Sequence, residues 1–317
     1  MRISRLFCIN AERTKWQKKK ATEYLYKAAK GKLKYCMTND YLFRMVLQRD
    51  KETLIRLICS VLHLKRKDVI SAIIDNPIAP GATIENKEYQ LDIVVILNNN
   101  TTVTIEMQIV DYHNWPIRSL AYICRKFDNV ARGEDYNKTK AVYQISFLDF
   151  TLFDDHPEFF AKYQVRNAKD GYLYTDRFNM FVVDLKQTKM ATDEDRLYGI
   201  DRWARLFKAK TWEEIKMIVK EDTSMNSTAE AIYKSVSDQR ILEQCRIRED
   251  FIAHEKYQLE QLRLLKKQVT SKDAIIADKD ATIADKEATI IDMGATIADK
   301  DSTIAALLAR LAKYENG

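Results

Sequence analysis

Residues 91–110, LDIVVILNNNTTVTIEMQIV, are the stretch whose reading decides the fold. Two apolar runs flank an Asn/Thr-rich turn, the pattern of a β-hairpin. Side chains alternate between the faces of a strand. Asp92, Val94 and Ile96 therefore share one face on the first strand, and Thr104, Glu106 and Gln108 share one on the second. Val103, Ile105, Met107 and Ile109 occupy the other face. A turn centred near Asn99 sets Asp92 opposite Glu106, and a register shift of two leaves the pair diagonal. Directly opposed Cβ atoms lie roughly 5 Å apart and diagonal ones about 7–8 Å. Carboxylates that close repel unless a positive charge lies between them, and a divalent cation fits that place. The plainer alternative is an exposed hairpin face that carries two acids and a Gln. Against it, Asp92 heads the run Ile93 to Leu97, apolar enough for a strand covered on both faces. An unpartnered carboxylate there is costly.

The bulk properties bound what surrounds this hairpin. The chain has 317 residues, enough for one core and an appendage, and only 7 Gly and 4 Pro, a globular composition with helical bias. Five scattered cysteines (Cys8, Cys36, Cys59, Cys124, Cys245) without a CxxC pair suit a reducing cytoplasm. The four histidines form no pairing with metal-ligand spacing, which argues against structural zinc. No apolar stretch approaches the ~18 residues of a membrane span, and the N-terminus lacks the apolar core of a secretion signal. The expectation is a soluble, intracellular protein with no membrane partner. Residues 1–34 hold eleven Lys/Arg against two Glu, whereas residues 271–317 hold six basic against nine acidic residues. Such a basic arm could lie along a phosphate backbone, or simply keep a helix end solvated.

Along the chain, residues 11–34 read as a basic helix ending near Gly31, with Trp16, Tyr24 and Tyr26 among the lysines. Thr38-Asn39-Asp40 then opens one or two amphipathic helices carrying Leu42, Val46, Leu54, Leu57, Ile58 and Leu62, with Asp40 as the natural N-cap. Trp115-Pro116 opens a helix over 117–131 closed by Gly133, on which Arg118, Tyr122 and Arg125 share a face. Residues 141–153 and 178–185 read as strands, and 190–250 as helical. The order predicts an α/β fold: a mixed sheet with helices against it. From Ser271 five seven-residue units follow, ATIADKD being typical, with Leu262, Val269, Ile276, Ile283, Ile290, Ile297, Ile304 and Leu311 one heptad apart. That period implies a left-handed supercoil. The seam is thin, so a self-associating coiled coil competes with a solvated lone helix. The resulting division is a basic arm over 1–34, a core over 35–190, a helical region over 191–260 and a heptad-repeat coiled-coil tail over 261–317.

Four motifs in this order resemble the Rpn-type recombination-promoting nucleases, the PD-(D/E)XK nuclease family transposases of bacteria. They are Thr38-Asn39-Asp40-Tyr41-Leu42-Phe43; Leu91-Asp92 with Ile105-Glu106-Met107-Gln108; Arg118-Ser119-Leu120-Ala121-Tyr122; and residues 142–150, VYQISFLDF. The resemblance covers about residues 35 to 260. It implies a restriction-endonuclease-like core, a central mixed sheet of about four strands flanked by helices, and Mg²⁺-dependent cleavage of DNA, with Mn²⁺ a possible substitute. By it, Asp92 and Glu106 are the metal-binding carboxylates, Asp40 is an auxiliary acid, and Gln108 stands where many relatives carry Lys. Leu91 stands where the signature has Pro.

On that reading Asp92, Glu106 and the backbone carbonyl of Met107 would hold the metal, and Gln108 would aim a water without bringing charge. Arg118, Tyr122 and Arg125 would position the DNA backbone; helix packing and surface roles are their plain alternatives. Two other function classes remain: a cleavage-deficient DNA-binding or regulatory protein, and an interaction protein working through a homo-oligomeric tail.

Overall fold

The structure, a computed structural model, describes residues 26–80, 92–98, 100–128 and 135–315. Most of the basic arm read over residues 1–34 lies outside the described residues. At its near end, Tyr26 is buried edge-on against Trp212 at 5.9 Å.

Helix α1 (Asp40–Arg49) starts at Asn39, not at Asp40 as the sequence pattern suggests. The Asn39 side chain accepts from the Leu42 N–H at 3.1 Å, which leaves Asp40 as the first helical residue. Asp50 ends α1 and caps α2 (Lys51–Leu62), so the long amphipathic stretch divides there. Strands β1 (Ala72–Ile74), β2 (Ile93–Leu97) and β3 (Thr101–Gln108) follow, then α3 (Trp115–Phe127) and β4 (Ala141–Leu148). Next come β5 (Phe160–Gln164) and β6 (Phe178–Asp184), then α4 (Asp193–Tyr198), α5 (Ile200–Lys208), α6 (Trp212–Glu221), α7 (Asn226–Val236) and α8 (Gln239–Glu315). Helix α3 begins two residues earlier than its expected start and ends at Phe127; Gly133 lies outside the described residues. Strand β4 stops at Leu148, short of the expected Phe153.

The strands form one mixed sheet in the order β1-β2-β3-β4-β6-β5. β3, β4 and β6 run parallel, and the remaining neighbours pair antiparallel. Six strands replace the expected four or so because both edges were silent in the pattern. β1 is a three-residue AII, and β5 is FAKYQ, whose lysine suits an exposed edge.

The two faces of the sheet are covered unequally. Ile93, Val95, Val103, Ile105, Met107, Ile145, Phe147, Phe181 and Val183 point into a large cluster shared with the helices α1, α2, α5, α6 and α7. At its centre Phe43, Phe147 and Phe207 meet edge to face at 5.0–5.9 Å. The opposite face is covered chiefly by α3, through a small cluster of Trp115, Leu148, Phe150 and Val182. Because Ile200, Phe207, Ile232 and Cys245 join the large cluster, the sheet and the helices after residue 190 share one core. The chain divides into two compact units, residues 1–255 and 256–317. The second is the continuation of α8, and its eight heptad residues from Leu262 to Leu311 are each 49–67% exposed.

Phe147 is fully buried and touches both other rings of the triad. Phe147→Ala should cost about 3–5 kcal/mol of stability, read as a lowered midpoint in equilibrium urea unfolding with an unchanged slope.

Candidate active site

The hairpin register puts the acidic pair together. Ile93 pairs with Ile105 and Leu97 with Thr101, which centres the turn on position 99. Asp92 immediately precedes β2 and so comes opposite Glu106. Asn98 enters the turn with a left-handed backbone, φ 50°. Its side chain accepts from the N–H groups of Ile70 and Ser71 and donates to Asp68, which ties the turn to the segment before β1.

A residue outside the sequence motifs fixes Asp92. Arg44, on α1 and only 1% exposed, donates from Nη1 to the Asp92 carbonyl at 2.6 Å and from Nη2 to the Asn76 carbonyl. Asn76 donates to the same Asp92 carbonyl at 2.9 Å and accepts from the Val94 N–H at 2.9 Å. Two side chains thus converge on the Asp92 carbonyl, and Asn76 extends the contact between β1 and β2 beyond the Ile74–Val95 pair.

Glu106 is 6% exposed, and its Oε1 accepts from Arg118 Nη2 at 2.9 Å. Arg118 also lies over the rings of Trp115 and Tyr122, at 5.4 and 5.3 Å, so α3 aims it at the sheet. Burial pushes the Asp92 carboxyl well above the usual carboxylate range, against the pull of Arg118, Arg44 and Lys126. Burial also pushes Glu106 up, and repulsion from Asp92 adds to it, while Arg118 opposes. Asp40 raises both. The pair is a patch of negative charge in a dry place, relieved only in part by the nearby arginines and lysine.

Beside it lies a cavity of about 210 Å³ lined by Asp92, Glu106, Tyr122, Arg125, Lys126 and Gln144, with Val94 and Thr104 completing the wall. The other expected site residues lie elsewhere. Gln108 shares the face of Glu106 but does not line the cavity; its amide donates to the Val110 carbonyl at 2.8 Å. Met107 turns its side chain into the large core, which leaves only its main chain on offer. Asp40 is 5% exposed, and both its oxygens accept from Arg248 of α8 at 2.6–2.9 Å, so its charge is already matched. Arg118 braces Glu106 without lining the cavity. Lys126, Arg44, Asn76 and Arg248 belong to no motif, and Gln144, inside the motif over 142–150, was not among the expected site residues. A readable signal existed for one of them: Arg44 interrupts the apolar run LFRMVL, where a charge needs a buried partner.

The family described as PD-(D/E)XK nuclease family transposase matches residues 37–262. The chain belongs to that family. Comparison with curated proteins and with solved structures finds no match. The six-stranded mixed sheet flanked by helices fits the restriction-endonuclease-like core of PD-(D/E)XK proteins. Nucleases of this type generally use divalent metals. Among the described residues no group of three or more His, Cys, Asp or Glu side chains is arranged to hold a metal. Two desolvated carboxylates remain, a donor set suited to a hard cation that keeps several waters and adds a substrate phosphate.

Both carboxyls have folded values above their unfolded ones. Protons then stay bound longer in the folded state, so stability falls as pH rises above the usual carboxylate range and is regained on acidification. Asp92→Asn removes the repulsion, so in EDTA at pH 8 its melting temperature should exceed wild type by about 2–4 °C per ~1 kcal/mol relieved. The gain should vanish near pH 4, where both carboxyls are protonated in wild type. Calorimetric scans across pH check the sign.

Proposed function

We propose that the protein is a Mg²⁺-dependent DNA endonuclease, with Mn²⁺ able to substitute, acting in recombination or transposition-like DNA processing. The observation that carries this reading is the facing pair Asp92 and Glu106, desolvated beside a cavity whose wall also holds Arg125 and Lys126. The free thiols of Cys36, Cys59, Cys124 and Cys245 suit the reducing compartment in which cytoplasmic DNA is met. No helix among the described residues is long and apolar enough to cross a membrane.

Asp92 and Glu106 would hold the cation, with the Met107 carbonyl as a further oxygen. When bound, the cation lowers the pKa of a coordinated water and stabilises charge on the scissile phosphate. Arg44 and Asn76 keep the Asp92 main chain in place, so the first carboxylate needs no reordering. Arg118 neutralises Glu106 through a single contact, which a cation can replace while the guanidinium turns to a phosphate oxygen. Arg125 and Lys126 bring the positive charge that Gln108 lacks, and Tyr122 keeps Arg118 over the sheet. Gln108, held by Val110, is left its carbonyl oxygen to accept from a water.

The tail supports self-association of a definite polarity. Ile276, Ile283 and Ile297 have Lys279, Lys286 and Lys300 three residues on, and Asp280, Glu287 and Asp301 four residues on. At 3.6 residues per turn those positions lie on opposite flanks of the isoleucine column. Two parallel copies then set the lysine flank of one against the acidic flank of the other, whereas antiparallel copies set like against like. The partner is a second copy of this chain.

Supercoiled plasmid with Mg²⁺ should be nicked by wild type. Asp92→Ala and Glu106→Ala should each lower the rate about a hundredfold or more, as loss of one preorganised charge does. Retained nicking in both variants rejects the site. Separately, wild type should sediment as an oligomer, and Lys279→Glu/Lys286→Glu/Lys300→Glu as a monomer. Equal sedimentation of the two rejects the charged seam.

A further inference from the structure

A cavity of about 250 Å³ opens in the helical layer, away from the acidic pair. Its walls come from α2, the turn Arg66–Asp68, the junction of α4 with α5, and the turn Thr223–Met225. Helices α2 and α5 pack into the large cluster, whereas α3 covers the opposite face, so the sheet lies between this cavity and the acidic one. Three arginines from three of those segments line it: Arg56, Arg66 and Arg202. A single water needs only ~10–15 Å³ of such space, so there is room for a larger solute.

Two carboxylates meet these three guanidiniums. Glu52 accepts from Arg66 Nε and Nη2 at 3.0–3.2 Å and lies 2.9 Å from Arg56 Nε. Asp222 lies 3.6 Å from Arg202 Nε. One positive charge is left over. Arg66 uses its last nitrogen on the Val69 carbonyl at 3.1 Å, and Arg202 donates from Nη1 to the Arg196 carbonyl at 3.3 Å. Among the described residues, no acceptor engages either Nη of Arg56 or Nη2 of Arg202. The Nε atoms of both arginines are buried, but these outer nitrogens keep accessible surface, and the two side chains are 34% and 27% exposed. Gly199 makes room for one of them: its φ is 75°, and a Cβ there would lie 2.6 Å from Arg202 Nη2. Ser60 accepts from the indole N–H of Trp203 at 3.0 Å, which leaves its own hydrogen free, and Ser224 adds a second hydroxyl to the wall.

Unused donors around a surplus positive charge select an oxyanion, and the fork of a guanidinium matches the oxygens of a phosphate. The rest of the wall is apolar, through Leu64, Leu197, Tyr198 and Met225, which suits an organic group attached to that phosphate. Leu197 is 77% exposed, so the cavity is open to solvent beside it. We propose that this cavity binds a phosphate monoester the size of a mononucleotide, its phosphate held by the free nitrogens of Arg56 and Arg202. A free nucleotide and the 5′ end of a DNA strand both offer that group. The cavity shares no residue with the acidic one, so the proposal does not rest on the nuclease reading. Occupancy ties α2 to the junction of α4 with α5, and a ligand that binds only the folded chain stabilises it.

The test is calorimetric titration of the full chain in EDTA, so that no metal bridges a phosphate to the carboxylates. Four probes are used: adenosine 5′-monophosphate, adenosine, and one short DNA strand with and without a 5′-phosphate. Wild type should bind at least one phosphorylated probe saturably, at one site per chain, and its unphosphorylated twin at least tenfold more weakly. Arg56→Met and Arg202→Met should each weaken that binding about tenfold, the scale of one hydrogen bond to a charged group. Arg125→Met/Lys126→Met, in the acidic cavity, should leave it unchanged. Melting temperatures without ligand confirm that the variants fold, and the ligand should raise the melting temperature of wild type more than that of either arginine variant. A preference confined to the mononucleotide assigns the site to a free nucleotide, and one confined to the strand assigns it to a DNA end. Equal affinity within both pairs of probes overturns the proposal. A phosphate preference that survives both arginine substitutions, or is lost with Arg125 and Lys126, also overturns it, because the phosphate is then held elsewhere. Plasmid nicking through Asp92 is a separate readout, and none of these outcomes bears on it.

Discussion

Everything at this site follows from two carboxylates forced together across a β-hairpin. An antiparallel ladder holds facing side chains about 5 Å apart whether or not they attract. The Ile93–Ile105 pairing fixes that separation, and the apolar faces of β2 and β3 prevent the register from slipping. A slip of one residue would move Glu106 into the large core and Met107 out of it. The hydrophobic sequence of the hairpin thus guarantees an electrostatic arrangement that no carboxylate pair would adopt alone. The arginines around it divide the work. Arg44 anchors the Asp92 main chain, Arg118 pairs with Glu106, and Arg248 pairs with Asp40, whose charge still raises both carboxyls.

The unequal covering of the sheet determines where this pair can act. On one face the strands contribute to a thick core, so polar groups there would be sealed away. On the other face α3 provides the principal cover, and it packs through a few residues, Trp115, Ser119 and Ile123. A single helix does not fill the breadth of a six-stranded sheet, and cavities remain along it. Strand alternation then decides which residues see them: Thr104, Glu106, Gln144 and Ser146 of β3 and β4 lie on the cavity side, and odd-numbered positions face the core. Glu106, Thr104 and Gln144 are polar for that reason, and Ile105, Val103 and Ile145 are apolar for the same reason.

The hairpin and the α/β order were legible in the sequence because each depends on local periodicity, whereas the pattern left Asp92 either opposite Glu106 or diagonal to it. Asp92 opposite Glu106 needs only the turn centre, and Arg118 beside Tyr122 needs only helical spacing. The supporting contacts were not legible, because they join segments far apart in the chain. Arg44 reaches Asp92 across 48 positions and Arg248 reaches Asp40 across 208, and no periodicity encodes such distances. Asn39 displaced Asp40 as the cap because neighbouring Asn and Asp are nearly equivalent in that role, so the tertiary partner decides. Arg248 claims the carboxylate, and the amide of Asn39 donates to the Cys245 carbonyl, so α8 selects both assignments. Edge strands β1 and β5 escaped notice because a three-residue run and a lysine-bearing one carry little pattern.

The departure at Gln108 is explained by where positive charge is built. A lysine two residues after Glu106 would deliver its ammonium from the same strand. Here the strand supplies the anions, and α3 supplies cations to the cavity through Arg125 and Lys126. A helix separates the two tasks: residues three and four apart form one side toward the sheet, and the flanks remain free for charge. Trp115 and Ile123 hold α3 down, which lets Arg118 brace Glu106 while Arg125 and Lys126 line the cavity. Gln108 can then spend its amide donor on Val110 and stabilise the strand end, since the charge it lacks comes from across the cleft.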